Sequence, residues 1–590
     1  MGCNNMNNQN PCYTAERNAQ IVISLLKAHG IKRVVASPGA TNARLVWMMQ
    51  CDGSFTLYSA VDERHASYLA CGIAEETNEP VVISCTGATS SRNYMSALTE
   101  AYYRKLPILA ITSSMPICRL GHMWPQMTDR TNPPSDTVRL SVQCPIPNSL
   151  EETRACEVTV NRAILELRRH GGGPVHINLE TRASGGFQEG TPPPAHMIMR
   201  ITEKDAWPEL PSGKKIAVWI GSHLPFSDDE TEQIERFAES NNAVVFADRT
   251  SNYFGKSVVN PSLLFSQGLF SNPNYENLKP DLIIHIGEIS GDYPTFGELR
   301  GKCDVWRVNE DGELRDFMQR LTTVFEMQEQ TFFAHYAKSP EPQSFLDHWR
   351  SADDAIRTAL PKIPFSNIWI AGQLSDRIPP DSELHFGILN SLRSWNMFKS
   401  NGIVSFCNVG GFGIDGCVSS MIGASFVNSR KLYFGVFGDL AFFYDLNSIG
   451  NRHIGKNLRI LVVNNGIGVE FANPGSIGMT VGDNVRDYIA AGEHFANKSP
   501  DLLRHMAGDL GFQYLSASNK EEFAVAKDAF LSPESDKPVL LECFVDANDD
   551  AAALSAYRSI EGFVPPQTVR GAIGKMLPSG LKSVIKKVGL

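Results

Sequence analysis

The chain reads as three consecutive doubly wound α/β units, each a parallel sheet flanked by helices, and three observations predict this. Its 590 residues exceed what one hydrophobic core supports, and at about 150 residues per domain they ask for three or four. Short runs of β-forming residues alternate with segments of helical periodicity along nearly the whole length. Pro- and Gly-rich or polar stretches interrupt the alternation at spacings that match the domain arithmetic.

A polar tail at 1–13 precedes the first unit, 14–190. Thr14 opens a helical pattern with Glu16 in its first turn, Ala19, Val22, Leu25 and Leu26 on one face, and Gly30 as its stop. Strands follow near Val34 to Ser37, Phe55 to Val61, Val81 to Cys85 and Ile108 to Thr112, with helices near Glu63 to Thr77, Asn93 to Arg104 and Glu152 to Arg169. A closing strand ends at Leu179, and Thr191-Pro-Pro-Pro194 is a linker. The second unit, 200–345, contains Lys215 to Gly221 and Asp281 to Gly287; it has no GxGxxG run and is assigned no flavin. The third, 365–560, has strands near Ile403 to Cys407, Leu432 to Phe437, Ile460 to Val463 and Val539 to Val545.

Composition excludes several classes. With 42% hydrophobic, 20% charged and 9% aromatic residues the chain is neither disordered nor fibrous. A net charge of -10, with no basic stripe in the body, gives nucleic acid no footprint. Twelve Cys without a CxxC pair or zinc spacing point to reduced thiols and the cytosol. The start lacks the apolar stretch of an export signal and the Ser/Thr of a myristoylation site, and no run of about 18 apolar residues spans a bilayer.

The chemistry centres on Gly438-Asp439-Leu440 and Asn464-Asn465-Gly466. Each follows a β-forming run, so both emerge at the carboxyl edge of a parallel sheet, where such folds bind ligands. Alone, each is an ordinary turn signal. Together, with 25 residues between Asp439 and Asn465, they fit one helix and one strand between neighbouring sheet edges. A hard cation such as Mg²⁺ takes oxygen ligands and bridges a carboxylate to phosphate. Asp439 offers the carboxylate, Asn465 an amide oxygen and Ile467 a main-chain carbonyl, while Gly438 admits the backbone close to phosphate, beside the N-H groups of a helix near Leu440.

On these segments the chain resembles the thiamine-diphosphate-dependent decarboxylase and carboligase family over nearly its whole length. The resemblance implies a pyrimidine-binding, a middle and a diphosphate- and Mg²⁺-binding domain in that order. It also implies an acidic residue where an early strand meets a helix, and Glu63 in Val61-Asp62-Glu63-Arg64-His65 stands there. Its bland reading is an acid in a first helical turn. In the family that carboxyl shares a proton with a pyrimidine nitrogen, and Ile414 in Gly413-Ile414-Asp415-Gly416 matches the apolar support of the bent cofactor. The resemblance further implies cofactor contacts at Pro38, Asn390, Ser391 and Gly413. It implies a homodimer or homotetramer in which Glu63 of one subunit serves a diphosphate held by the other.

Within the family the chain resembles above all the menaquinone-pathway branch, whose members add a decarboxylated 2-oxoglutarate to isochorismate. Shared segments include Ser37-Pro38-Gly39, Asn390-Ser391-Leu392 and Tyr444-Asp445-Leu446-Asn447. Ala40-Thr41 and Val409 replace that branch's arginines, whose bidentate geometry suits carboxylates, which argues against isochorismate as acceptor. Arg119, His122 and Gln126, in a loop after Thr112, and Glu470 are the polar groups left to contact a 2-oxo acid donor and its acceptor; surface and solvated roles are their alternatives. The implied activity is decarboxylation of a 2-oxo acid with transfer of the acyl-anion equivalent to an acceptor. The alternatives are a plain decarboxylase releasing an aldehyde and a non-catalytic cofactor-binding relative. Finally, 565–590 is a basic amphipathic tail, with Leu581, Val584, Ile585 and Val588 on one face, open to peripheral membrane contact or to docking on its own protein.

Overall fold

The computed structural model of the chain describes residues 11–182, 185–473, 476–495 and 498–564. It divides into two compact units, Met1–Ala206 with Gly312–Glu326, and Trp207–Asp311 with Met327–Leu590. The basic tail and the first ten residues lie outside the described residues.

The first unit is built on a parallel sheet of Arg33–Ala36, Thr56–Ser59, Val81–Thr86, Ile108–Ser114, Leu140–Cys144 and Val175–Glu180. Counted in chain order, these six strands lie side by side as 2-1-3-4-6-5. The central strands are buried along both faces, which is why they read as unbroken apolar runs. Helix Arg17–Ala28 covers one face, packing Ile21, Val22, Leu25 and Leu26 against Val34, Val82 and Leu109. Helices Glu63–Thr77 and Met95–Arg104 cover the other with a row of alanines, Ala66, Ala70, Ala74 and Ala97. Small side chains there bring the helices close to the sheet.

Two local expectations change. Thr14 ends a short strand, Cys12–Thr14, paired antiparallel with Phe187–Glu189, and does not open the helix. Glu16 stands one residue before the helix, buried, where its carboxylate accepts from the Thr181 hydroxyl and the Arg182 N-H. A buried acceptor role wins over the dipole role because those donors would otherwise be unmet. The helix expected from Asn93 is two pieces, Thr89–Asn93 and Met95–Arg104, preceded by Ala88 at φ 59° and ψ -134°.

The second unit holds two parallel sheets. Ile216–Ile220, Ala243–Ala247, Val258–Val259, Leu282–Ile286 and Asp304–Val308 run side by side as 3-2-1-4-5. Glu383–Phe386, Val404–Cys407, Tyr433–Gly438, Leu458–Asn464, Gln513–Ala517 and Val539–Phe544 run as 2-1-3-4-6-5, the order of the first unit's sheet. Helices cover both faces of this sheet, Asn367–Leu374 on one and Cys417–Ser425 on the other. Three parallel sheets flanked by helices thus carry the chain, as the sequence predicts. Among the described residues no helix is long and apolar enough to cross a membrane.

Candidate functional site

In the last sheet the order reverses between strands Glu383–Phe386 and Tyr433–Gly438, so the loops after them diverge and leave a crevice at the carboxyl edge. Strands Tyr433–Gly438 and Leu458–Asn464 are parallel neighbours with Gly438 opposite Val463, which brings Asp439 and Asn465 out side by side. Asp439 opens the helix Asp439–Tyr444 and is only 5% exposed. Its Oδ2 accepts the Gly466 N-H at 3.0 Å. Burial pushes its carboxyl up to about 7, opposed by N-H donors from Leu440 and Gly466, with Glu542 adding to the rise. An acid held in this way gains most from a cation beside it.

Asn464 and Asn465 have separate duties. Asn464 donates to Glu542 at 2.7 Å, and the Tyr514 hydroxyl donates to the same carboxylate, which locks the strand end. Asn465 turns outward; its amide nitrogen donates to Asp550 at 3.3 Å and its oxygen accepts the Ile467 N-H at 3.3 Å. The Ile467 carbonyl accepts the Val469 N-H, leaving one lone pair for another partner. Gly438 is extended, at φ -71°, with open space where a Cβ would stand, so its value is room and not conformation.

Other expected residues gather on the same edge. Asn390 opens the helix Asn390–Asn396 and its amide nitrogen donates to Asp550 at 3.1 Å, with Ser391 buried beside it. The residue before it, Leu389, sits at φ 62° and ψ -113°, a conformation a side chain rarely adopts. A Cβ at Gly413 would lie 2.1 Å from the Asp415 carboxylate oxygen, the end of an exposed side chain that would have to turn aside. Ile414 is 36% exposed, an apolar side chain with no protein cover on one side. Asp445 accepts from the Ser419 N-H at 2.6 Å and hydroxyl at 2.7 Å, tying that loop's helix to the end of the Asp439 helix.

Glu470 is committed to the buried Arg393 through two contacts, 2.6 and 3.2 Å, and also accepts from Asn473. Sequence reasoning singles out neither Arg393 nor Asp550. The signal for Asp550 is weak: Asp546, Asp549 and Asp550 crowd one helix start, Asp546 makes the cap, and only Asp550 turns inward.

The first unit has its own reversal point, between Arg33–Ala36 and Val81–Thr86. A cleft of about 430 Å³ lies on the other side of Arg33–Ala36, beside Thr56–Ser59, and is lined by Ser37, Pro38, Gly39, Asn42, Tyr58 and Ser59. Glu63 starts its helix half-buried, and Asp62 makes the cap by accepting from the Arg64 and His65 N-H groups, so the cap does not need Glu63. Arg119 stacks on Trp124 at 4.2 Å, and His122 and Gln126 are exposed on that loop. Thr41 donates to the Ser113 carbonyl, and Val409 is buried apolar packing.

The second unit also holds a cavity of about 750 Å³ at the reversal point of its other sheet, lined in part by His223, Glu230, Glu288, Glu310 and Glu329. Four carboxylates against one imidazole oppose a diphosphate, and this cavity contains none of the residues above.

The last sheet's edge offers the Asp439 carboxylate, the Asn465 amide oxygen and one lone pair of the Ile467 carbonyl. Among the described residues no three His, Cys, Asp or Glu side chains cluster to hold a metal by themselves. This sparse oxygen set fits Mg²⁺ bound with the help of phosphate oxygens. A fold with two such crevices and this donor set suits an α/β enzyme built around a phosphorylated cofactor, and the enzymes that the chain resembles depend on thiamine diphosphate. Residues 17–132 match the family described as thiamine pyrophosphate enzyme, N-terminal TPP binding domain. Among similar proteins are the 2-succinyl-5-enolpyruvyl-6-hydroxy-3-cyclohexene-1-carboxylate synthases of Phocaeicola vulgatus, 29% identical over 92% of this chain and 98% of that one, and of Bacteroides thetaiotaomicron, 29% identical over 92% and 99%. The synthase of the same name from Desulfotalea psychrophila is 27% identical over 88% and 96%.

Proposed function

We propose that this thiamine-diphosphate-dependent enzyme is a carboligase that decarboxylates a 2-oxo acid and transfers the acyl-anion equivalent to an acceptor. Thiamine diphosphate, when bound, supplies the carbon nucleophile that adds to the oxo acid and delocalises the charge left as CO₂ departs. Asp439, Asn465 and the Ile467 carbonyl hold Mg²⁺ and, through it, the diphosphate. Gly438 leaves room for that group, Asn390, Ser391 and Gly413 line it, and Ile414 supports it. Glu63 holds a proton at a pyrimidine nitrogen. Because Glu63 and Asp439 serve different copies of the cofactor, the working assembly contains at least two chains.

The single observation that carries this reading is the buried, cation-seeking Asp439 one strand from Asn465. Full-length relatives named as synthases of a 2-succinyl compound support ligation over simple cleavage. Thr41 and Val409 support an acceptor other than isochorismate, with Arg119, His122 and Gln126 as the polar groups that meet it. The test is a panel of 2-oxo acids with thiamine diphosphate and Mg²⁺, scoring CO₂ and carbon products with and without an acceptor aldehyde. One acid is expected to release CO₂ and to yield a ligated product only with acceptor. Free aldehyde in both arms makes the protein a plain decarboxylase, and no CO₂ from any acid ends the reading.

A further inference from the structure

Asp550 lies on the last described helix, Ala547–Tyr557, far in sequence from every residue of the site, and is 3% exposed. Its Oδ1 accepts the Asn367 N-H at 2.7 Å. Its Oδ2 accepts two side-chain amides, Asn390 at 3.1 Å and Asn465 at 3.3 Å. One carboxylate thereby joins the loop after strand Glu383–Phe386, the loop after strand Leu458–Asn464 and the start of helix Asn367–Leu374.

The chemistry of these groups fixes a direction. An ionised carboxylate only accepts hydrogen bonds, so each asparagine must present its NH₂ to Asp550 and its carbonyl oxygen the other way. A hard cation requires that oxygen and is repelled by the NH₂. The Asn367 N-H holds the carboxylate against rotation. We infer that Asp550 is a positioning residue, which sets the amide orientation of Asn465 for Mg²⁺ and ties Asn390 into the same network. This inference rests on the cofactor reading given above.

The experiment measures Mg²⁺ affinity of the full-length protein at saturating thiamine diphosphate, by calorimetry or tryptophan fluorescence, together with the melting temperature without metal. In Asp550→Asn the new NH₂ must face a donor, so one amide turns, and the Mg²⁺ dissociation constant is expected to rise about 10- to 100-fold, as for loss of an outer-shell partner. The double variant Asn465→Asp with Asp550→Asn reverses the polarity of the pair, so the new amide donates to the new carboxylate, whose other oxygen faces the metal. It is expected to recover most of the lost affinity. Wild-type affinity in Asp550→Asn, or no recovery in the double variant, overturns the inference even if both variants melt earlier. Should Asp550→Asn not fold, Asp550→Ser is read in the same way. If the wild type shows no saturable binding of cofactor and Mg²⁺, the cofactor reading fails and takes this inference with it.

Discussion

The first sheet and the last sheet of the chain share the strand order 2-1-3-4-6-5, yet their crevices are equipped in opposite ways. In the last sheet Asp439, Asn464, Asp550 and Arg393 are buried, and each is held by hydrogen bonds to a further side chain or to the backbone. In the first, Glu63 is half-buried and its surroundings are open: Val61 is 79% exposed and Tyr68 46%. Polar groups that must hold a doubly charged ion and phosphates gain from being fixed beforehand, because ordering them at the moment of binding costs entropy. A group that handles a proton on an aromatic ring needs an apolar wall around it, and exposed apolar side chains mark where a wall is to be supplied from outside. Under the proposed function, one topology serves as a finished half and as a half awaiting cover.

The largest effect should come from attacking the finished half. Asp439→Ala removes the buried carboxylate at the end of strand Tyr433–Gly438 and is expected to weaken Mg²⁺-dependent cofactor binding at least about a hundredfold, beyond the loss expected for Asp550→Asn; unchanged binding isotherms would erase the contrast between the two sheets. Glu63→Gln, in the open half, should leave cofactor binding intact while turnover at saturating cofactor falls about 10²- to 10⁴-fold. If instead binding and turnover fall together, the two halves are not functionally distinct. Leu69→Asp places a charge on the exposed apolar face of helix Glu63–Thr77. Sedimentation should show a shift toward single chains with loss of activity, and a native mass distribution in this variant contradicts an outside wall.

A smaller loss concerns Glu470→Gln, which leaves the Arg393 guanidinium, 7% exposed, without its charged partner. Denaturant midpoints should report a cost of about 1–3 kcal/mol. Acid offers a last comparison. His176, buried between the Thr112 and Ser141 hydroxyls, is lowered by burial, with Arg130 adding to it, to about 3. The unfolded chain takes up this proton near 6.5 and the folded one only near 3, so the neutral ring contributes stability above 6.5 that is lost as pH falls through that window. His176→Gln should flatten the acid limb of the melting curve; an unaltered limb rules out this histidine as its source.

The strand-helix alternation and the pair of Asp439 and Asn465 were legible because both depend on residue type and local spacing. Helix Glu63–Thr77 begins and ends where its periodicity and the Asp62 cap place it. Asp550 was not legible, since its partners lie 85, 160 and 183 residues away and helix starts carry acids for ordinary reasons. The pairing of Arg393 with Glu470 was not legible either, since the two lie 77 residues apart and sequence alone offers Glu470 only as a substrate contact or a solvated acid. The twin topology escaped because it resides in how crossovers connect strands, which no short repeat records. Thr14 and Glu16 were misplaced because a strand partner far along the chain, Phe187–Glu189, decides their state.

Leu389 carries a further consequence. Its backbone sits in a region that only glycine enters freely, immediately before Asn390, and such a conformation costs on the order of 1–3 kcal/mol. A Leu389→Gly change would relax the chain and raise thermal tolerance while loosening the asparagine behind it. Selection for heat resistance alone would then drift toward sturdier but idle molecules, and a laboratory lineage screened only for survival on heating should accumulate replacements at this position.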